Sequence, residues 1–158
     1  MNYFFDSNII LFYVRQDKKR IDFIEQKYGK LLLTSSRPVA SVVSLGELRS
    51  IAIQKNWSRK KKDVLENLMN RFIVADINIE SIVNRYAEID AFSQGKLSTL
   101  PLGTSARNMG KNDLWIAATA SILGLTLITS DKDFHHLNGI YLNLAFVNLD
   151  EISILPPQ

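Results

Sequence analysis

The sequence contains no cysteine. That excludes disulfide staples, thiolate metal sites and a cysteine nucleophile, and it fits a reducing compartment. Proline and glycine are sparse, four and seven in 158 residues, which is too few for a linker-rich or low-complexity chain. No run of about 18 apolar residues occurs, so no membrane span is expected. The N-terminal stretch MNYFFDSNIILFYVRQDKK is apolar, but Asp6 interrupts it and the basic residues follow it. A secretory signal has the opposite order, so a cytoplasmic protein is expected. Charge of one sign is also lacking: 19 basic and 16 acidic residues give only +3. That balance alone does not call for a nucleic-acid partner.

What is present is an ordinary globular composition, 46% hydrophobic and 22% charged. The length suits one domain over residues 1–158, with no repeat and no linker. Short apolar runs alternate with amphipathic stretches. Strands are expected at Asn2–Phe5, Val39–Val43, Phe72–Ala75, Thr126–Thr129 and Ala145–Leu149, with a short extended piece at Leu31–Thr34. Helices are expected through Ile9–Val14, capped by Ser7 or Asn8, and over Lys18–Tyr28. Further helices follow Ser44 and span Ser58–Asn70, Ile79–Phe92 and Asp113–Leu123. Gly95–Lys111 breaks the pattern, and a loop of that length is usually functional or mobile. Strands alternating with helices indicate an α/β architecture with a mainly parallel sheet. Ligands of such sheets bind beyond the carboxyl ends of the strands.

Four acids map to that edge. Asp6 and Asp131 follow strands, Glu47 lies one turn into a helix that follows a strand, and Asp113 opens the strongest helix. Each also has a purely structural role open to it. Asp6 suits an N-cap. Glu47 completes the capping box Ser44-Leu-Gly-Glu47. Asp113 is favourable to a helix dipole. Asp131 makes a turn, with Asp133 capping Phe134–Leu137. Together they have a shared chemical purpose. Carboxylates gathered in one cleft repel one another unless a cation offsets the charge. Oxygen-only ligands suit Mg2+ or Mn2+ rather than zinc. Setting the four aside leaves 12 acids against 19 bases, a balance of +7 suited to a polyanionic substrate.

In the same order along the chain, the motifs resemble those of PIN domains. Asp6-Ser7-Asn8 is similar to the opening motif and Ser44-Leu45-Gly46-Glu47-Leu48 to the second. Asn112-Asp113-Leu114-Trp115-Ile116-Ala117-Ala118-Thr119-Ala120 resembles the third, and Leu127-Ile128-Thr129-Ser130-Asp131-Lys132-Asp133-Phe134 the fourth. Size and layout are similar to VapC-type toxins of toxin–antitoxin pairs. The resemblance implies a three-layer α/β/α fold and a Mg2+- or Mn2+-dependent endoribonuclease. It implies that Asp6, Glu47, Asp113 and Asp131 are the catalytic, metal-holding acids. Asn8, Thr129 and Asp133 would support them from behind. The partners it implies are RNA, a small cognate antitoxin and a second copy of the chain in a homodimer. The long Gly95–Lys111 loop departs from the compact connection of many such toxins.

Paired metals in hydrolases of phosphodiesters activate water and clamp phosphate oxygens, so no general-base histidine is required. His135 and His136 are expected to be ordinary surface residues, and Trp115 and Ile116 to pack in the core. Arg59-Lys60-Lys61-Lys62 and Lys18-Lys19-Arg20 read as solvated faces. Lys96, Arg107 and Lys111 are the RNA-contact candidates, because their loop leads into Asp113. Two rivals are weighed. A noncatalytic PIN-like binding module would be expected to lose one or more acids, and all four are present. A phosphoaspartyl enzyme of the halo-acid-dehalogenase pattern needs an Asp and a Thr where this chain has Asn8 and Ile10. A receiver domain needs paired early acids, a central phosphoacceptor and a late strand-end Lys, for which Lys132 is only a vague match.

Overall fold

The computed structural model describes residues 3–33 and 37–152. Its centre is a parallel sheet of five strands: β1 (Tyr3–Phe5), β2 (Val39–Ser41), β3 (Ile73–Ala75), β4 (Thr126–Thr129) and β5 (Asn143–Phe146), in the order β3-β2-β1-β4-β5. Phe4 pairs with Val39 on one side and Leu127 on the other.

Period-two alternation sorts the strand side chains into two layers. Phe5, Ala40, Ile128 and Ala145 face one way, Phe4 and Leu127 the other. On the first face lie α1 (Ser7–Val14), α2 (Lys18–Tyr28), α3 (Val42–Gln54) and α4 (Arg59–Met69), which bury Ile9, Ile10, Ile24, Leu48 and Leu65. On the second lie α5 (Glu80–Ser93) and α6 (Lys111–Leu123), with Ile82, Ile89, Leu114, Ile116 and Ala117. A 3-10 helix, Lys132–Leu137, adds Phe134 and Leu137 to this second core. The short α7 (Leu149–Ile152) packs against α2. The expected three-layer α/β/α fold is therefore present.

The chain steps from β1 to β2 to β3 in one direction, then crosses by way of α5 and α6 to β4 on the other side of β1. Helices consequently leave the carboxyl ends of β1 and β4 toward opposite faces. The crevice at such a switch point is where open parallel sheets bind ligands.

Several sequence-based expectations move. The second strand ends at Ser41 rather than Val43, because the Ser41 hydroxyl accepts the Val43 N–H at 3.1 Å and caps α3. A satisfied helix terminus outweighs the β propensity of Val42 and Val43. Ser44 then lies inside α3, so the Ser44–Glu47 capping box does not form. Asp6, not Ser7 or Asn8, caps α1. Leu31–Leu33 is a turn closed by Leu33 N–H to Lys30 O at 3.0 Å rather than an extended piece. Thr34 and Asn2 lie outside the described residues. The last strand begins at Asn143 and ends at Phe146, and Leu149 opens α7.

Two serines separate these readings of α3. Ser41→Ala should cost about 1 kcal/mol by loss of the cap. Ser44→Ala should be neutral or slightly stabilising, because the buried Ser44 hydroxyl has no hydrogen-bond partner among the described residues. Urea unfolding of both variants checks the contrast, and a larger loss for Ser44→Ala would restore the capping box.

Candidate active site at the sheet switch point

Asp6 directly follows β1 and is 4% exposed. Its backbone N–H extends the sheet to Ile128 O at 3.1 Å, which fixes its place beside β4. One carboxylate oxygen accepts the Ser7 N–H at 2.6 Å and the other the Thr129 hydroxyl at 2.6 Å. Thr129 also accepts from Asn8 Nδ2 at 3.3 Å and from the Asp131 N–H at 2.9 Å. A hydroxyl has one proton and two lone pairs, so Thr129 is fully used. It ties the end of β1, the start of α1 and the turn after β4 to one atom. Asn8 Oδ1 closes the ring by accepting the Ser130 N–H at 3.4 Å.

Glu47 projects from α3 and is half-buried. The Ser7 hydroxyl donates to one of its oxygens and Asn112 Nδ2 to the other at 2.8 Å. Asp113 lies in the first turn of α6, whose N-cap is Gly110. A Cβ on Gly110 would stand 2.5 Å from Asp113 Oδ2, so the carboxylate occupies the space that any side chain there would take. Asp131 caps the 3-10 helix by accepting the Asp133 N–H at 2.9 Å.

These acids feel one another. Burial, then the charges of Asp113 and Glu47, push Asp6 up to about 7 despite the stabilising bonds from Thr129 and Ser7. Burial, then Asp131, Glu47 and Asp133, push Asp113 up to about 6. None of the five forms an ion pair with a basic residue among the described residues. A buried carboxylate without a cation is costly. The donor set is all oxygen, which fits a hard divalent cation. Among the described residues, no three of these side chains are drawn together tightly enough to hold an ion as they stand. Glu47 is held instead by Ser7 and Asn112.

A groove of about 760 Å³ opens beside the cluster, lined by Ser7, Asn8, Glu47, Ser50, Asn112 and Trp115 among others. It takes in only Glu47 of the four acids, so it adjoins the acid centre rather than containing it. Trp115 packs against the rim of the second core rather than inside it. It is half-buried on the groove wall, with its ring 4.3 Å from that of Tyr86. Ile116 is fully buried as expected.

The sequence model of the PIN domain family matches residues 3–140. The chain belongs to the PIN domain family. Among curated relatives of this PIN domain, ribonuclease VapC5 of Mycobacterium tuberculosis is 32% identical over 120 residues, covering 74% of this chain and 83% of that one. A chain in the structure of VapBC-1 from nontypeable Haemophilus influenzae superposes with a TM-score of 0.68 at 28% identity. It covers 92% of this PIN domain and 98% of the other chain. A chain of VapBC2 from Rickettsia felis, solved bound to a DNA fragment from its promoter, gives 0.66 at 18% identity over 91% and 98%, which shows the fold alone.

The basic candidates are dispersed. Lys96 donates to Gln94 at 2.8 Å and Lys111 lies 3.8 Å from Asp90, so both have local partners. Arg107 has no ion-pair partner among the described residues, and its Nε is buried without a hydrogen bond. The expectation for the histidines divides. His135 is exposed, with its ring on the edge of Phe146. His136 is half-buried and bonded to Ser93 at 2.7 Å, because the 3-10 turn rotates it inward. Sequence reasoning assigned Ser7 only a helix-cap role, and Asn112 and Gly110 none. Their signal was adjacency: each sits within three residues of a cluster acid. No helix among the described residues is long and apolar enough to cross a membrane.

Raised acid pKa values set the sign of a pH effect. The folded protein holds the Asp6 proton up to about 7, the unfolded chain only to about 3.9. Between those values folded Asp6 binds more protons than unfolded Asp6, so its contribution to stability is greatest at the acid end and falls as pH rises through about 7. The slope is at most about 1.4 kcal/mol per pH unit. Asp6→Asn should therefore melt higher than the wild type at pH 7.5 in chelator, with the advantage shrinking toward pH 4. An advantage equal at both pH values would contradict the linkage.

Proposed function

We propose that this PIN domain, a single domain spanning the chain, is a divalent-metal-dependent endoribonuclease and the toxin of a VapBC-type pair. The observation that carries the proposal is the group of four carboxylates at the sheet switch point, buried or half-buried and without a basic counter-charge among the described residues. The likeness to a ribonuclease VapC and to VapBC assemblies supports the substrate and partner classes.

Asp6, Glu47, Asp113 and Asp131 would hold Mg2+ or Mn2+. When bound, such a cation supplies a more acidic water and neutralises charge developing on the phosphate. The protein's own part is orientation. Thr129 and the Ser7 N–H fix both oxygens of Asp6. Ser7 and Asn112 hold Glu47 toward the groove. Gly110 leaves room for Asp113, and the Asp131–Asp133 turn presents the fourth acid. Asn8 acts through Thr129. Asp133 adds negative charge beside Asp113 without a required contact. The groove past Glu47 and Trp115 suits an extended strand of RNA, and of Lys96, Arg107 and Lys111 only Arg107 has neither an ion pair nor a side-chain hydrogen bond among the described residues to compete with a phosphate. The same groove suits a segment of a small antitoxin that would silence the enzyme. A cytoplasmic homodimer completes the proposal.

Asp113→Asn should reduce RNA cleavage to background while the fold is kept, as judged by circular dichroism and melting. Full activity in that variant would overturn the assignment. Chelator should stop cleavage by the wild type, and Mg2+ or Mn2+ should restore it. Undiminished cleavage in chelator would point to chemistry without metal.

A further inference from the structure

Ser93 is the last residue of α5 and is fully buried. Two separate segments converge on it. Its carbonyl accepts the Arg107 N–H at 2.8 Å, and its hydroxyl donates to Met109 Sδ at 3.4 Å. The same hydroxyl lies 2.7 Å from His136 Nε2. The His136 ring lies parallel to Phe92, with planes 4° apart.

Each segment leads to an acid. Arg107 and Met109 are the final anchored residues of the long loop. Gly110 and the first turn of α6 follow at once, with Asp113 four residues past Met109. His136 stands on the 3-10 helix that Asp131 caps. Three residues make one 3-10 turn, so His136 stacks along that helix with Asp133. Asp131 and Asp133 both repel Asp113. Without a clamp, that repulsion favours spreading of the two arms. The loop itself has no regular structure to resist it.

We propose that Ser93 and His136 form a positioning pair, clamping the loop before α6 and the 3-10 helix after β4 to one point. The pair thereby sets how closely Asp113 approaches the Asp131–Asp133 arm, and so how tightly the acids hold a divalent cation. This rests on the acids being the metal-binding group proposed above. Neither residue touches the reacting atoms. Both act through the acids, as outer partners of metal ligands commonly do, at tenfold to a hundredfold in affinity.

The test is Mn2+ affinity by calorimetry on the whole chain, with RNA cleavage and melting measured in parallel. Ser93→Ala and His136→Phe should each weaken Mn2+ binding on the order of tenfold. The double variant should be no worse than Ser93→Ala alone, because that change already removes the bond that His136→Phe removes. His136→Gln, whose amide nitrogen reaches where Nε2 sits, should recover most of the affinity. In cleavage, kcat should fall while KM for RNA holds. Tyr141→Phe supplies the structural control: it removes a bond to Glu88 in the same layer and should leave Mn2+ affinity unchanged even if melting falls. Wild-type affinity in Ser93→Ala and His136→Phe, additive losses, or a Gln variant no better than Phe would overturn the proposal. A wild-type chain that binds no Mn2+ would overturn the metal assignment and this proposal with it.

Discussion

Electrostatic repulsion among desolvated carboxylates is the constraint on which the rest of this structure turns. Asp6 is buried at the end of the central strand, within reach of the charges on Asp113 and Glu47, and no ion pair relieves it among the described residues. A protein selected only for stability would place a cation there or remove the acid. This chain instead invests hydrogen bonds in keeping the acid oriented. Thr129 spends its only proton on Asp6 and both lone pairs on groups from neighbouring segments. Local rules are broken at functional sites and compensated around them, and here the compensating bonds can be named.

The fold makes that gathering inexpensive in sequence terms. In a parallel sheet with the order β3-β2-β1-β4-β5, the carboxyl ends of β1 and β4 are neighbours although their residues lie more than 120 positions apart. Asp6 and the Thr129–Asp131 turn meet for that reason alone. Helices α3 and α6 approach the same edge from opposite layers and deliver Glu47 and Asp113. The long loop before α6 lacks regular structure, and it is pinned to Ser93 and, through Ser93, to His136.

Much of this was legible in the chain itself. The short apolar runs Asn2–Phe5 and Thr126–Thr129 announced core strands, and the helices over Lys18–Tyr28 and Asp113–Leu123 were marked by their apolar faces. The acids stood out because each followed a strand or opened a helix. Boundaries were less legible where two local preferences compete, as at Val42-Val43, where a serine cap displaced a β-branched strand. Long-range polar partners were not legible. Nothing in the spacing of Ser7, Asn112 and Glu47 says that two of them hold the third, since that depends on how α1, α3 and α6 pack. His136 was hidden for the same reason: adjacent histidines look alike in sequence, and only the 3-10 turn sends one inward.

The central claim is that the acids at the β1/β4 switch point form one cation site. Diffraction at the manganese absorption edge, from crystals of the wild-type chain grown with Mn2+, tests it most directly. The account predicts an anomalous peak bounded by Asp6, Asp113 and Glu47, which is absent in crystals of Asp6→Asn. A peak only elsewhere on the surface, or one that persists unchanged in Asp6→Asn, would contradict it.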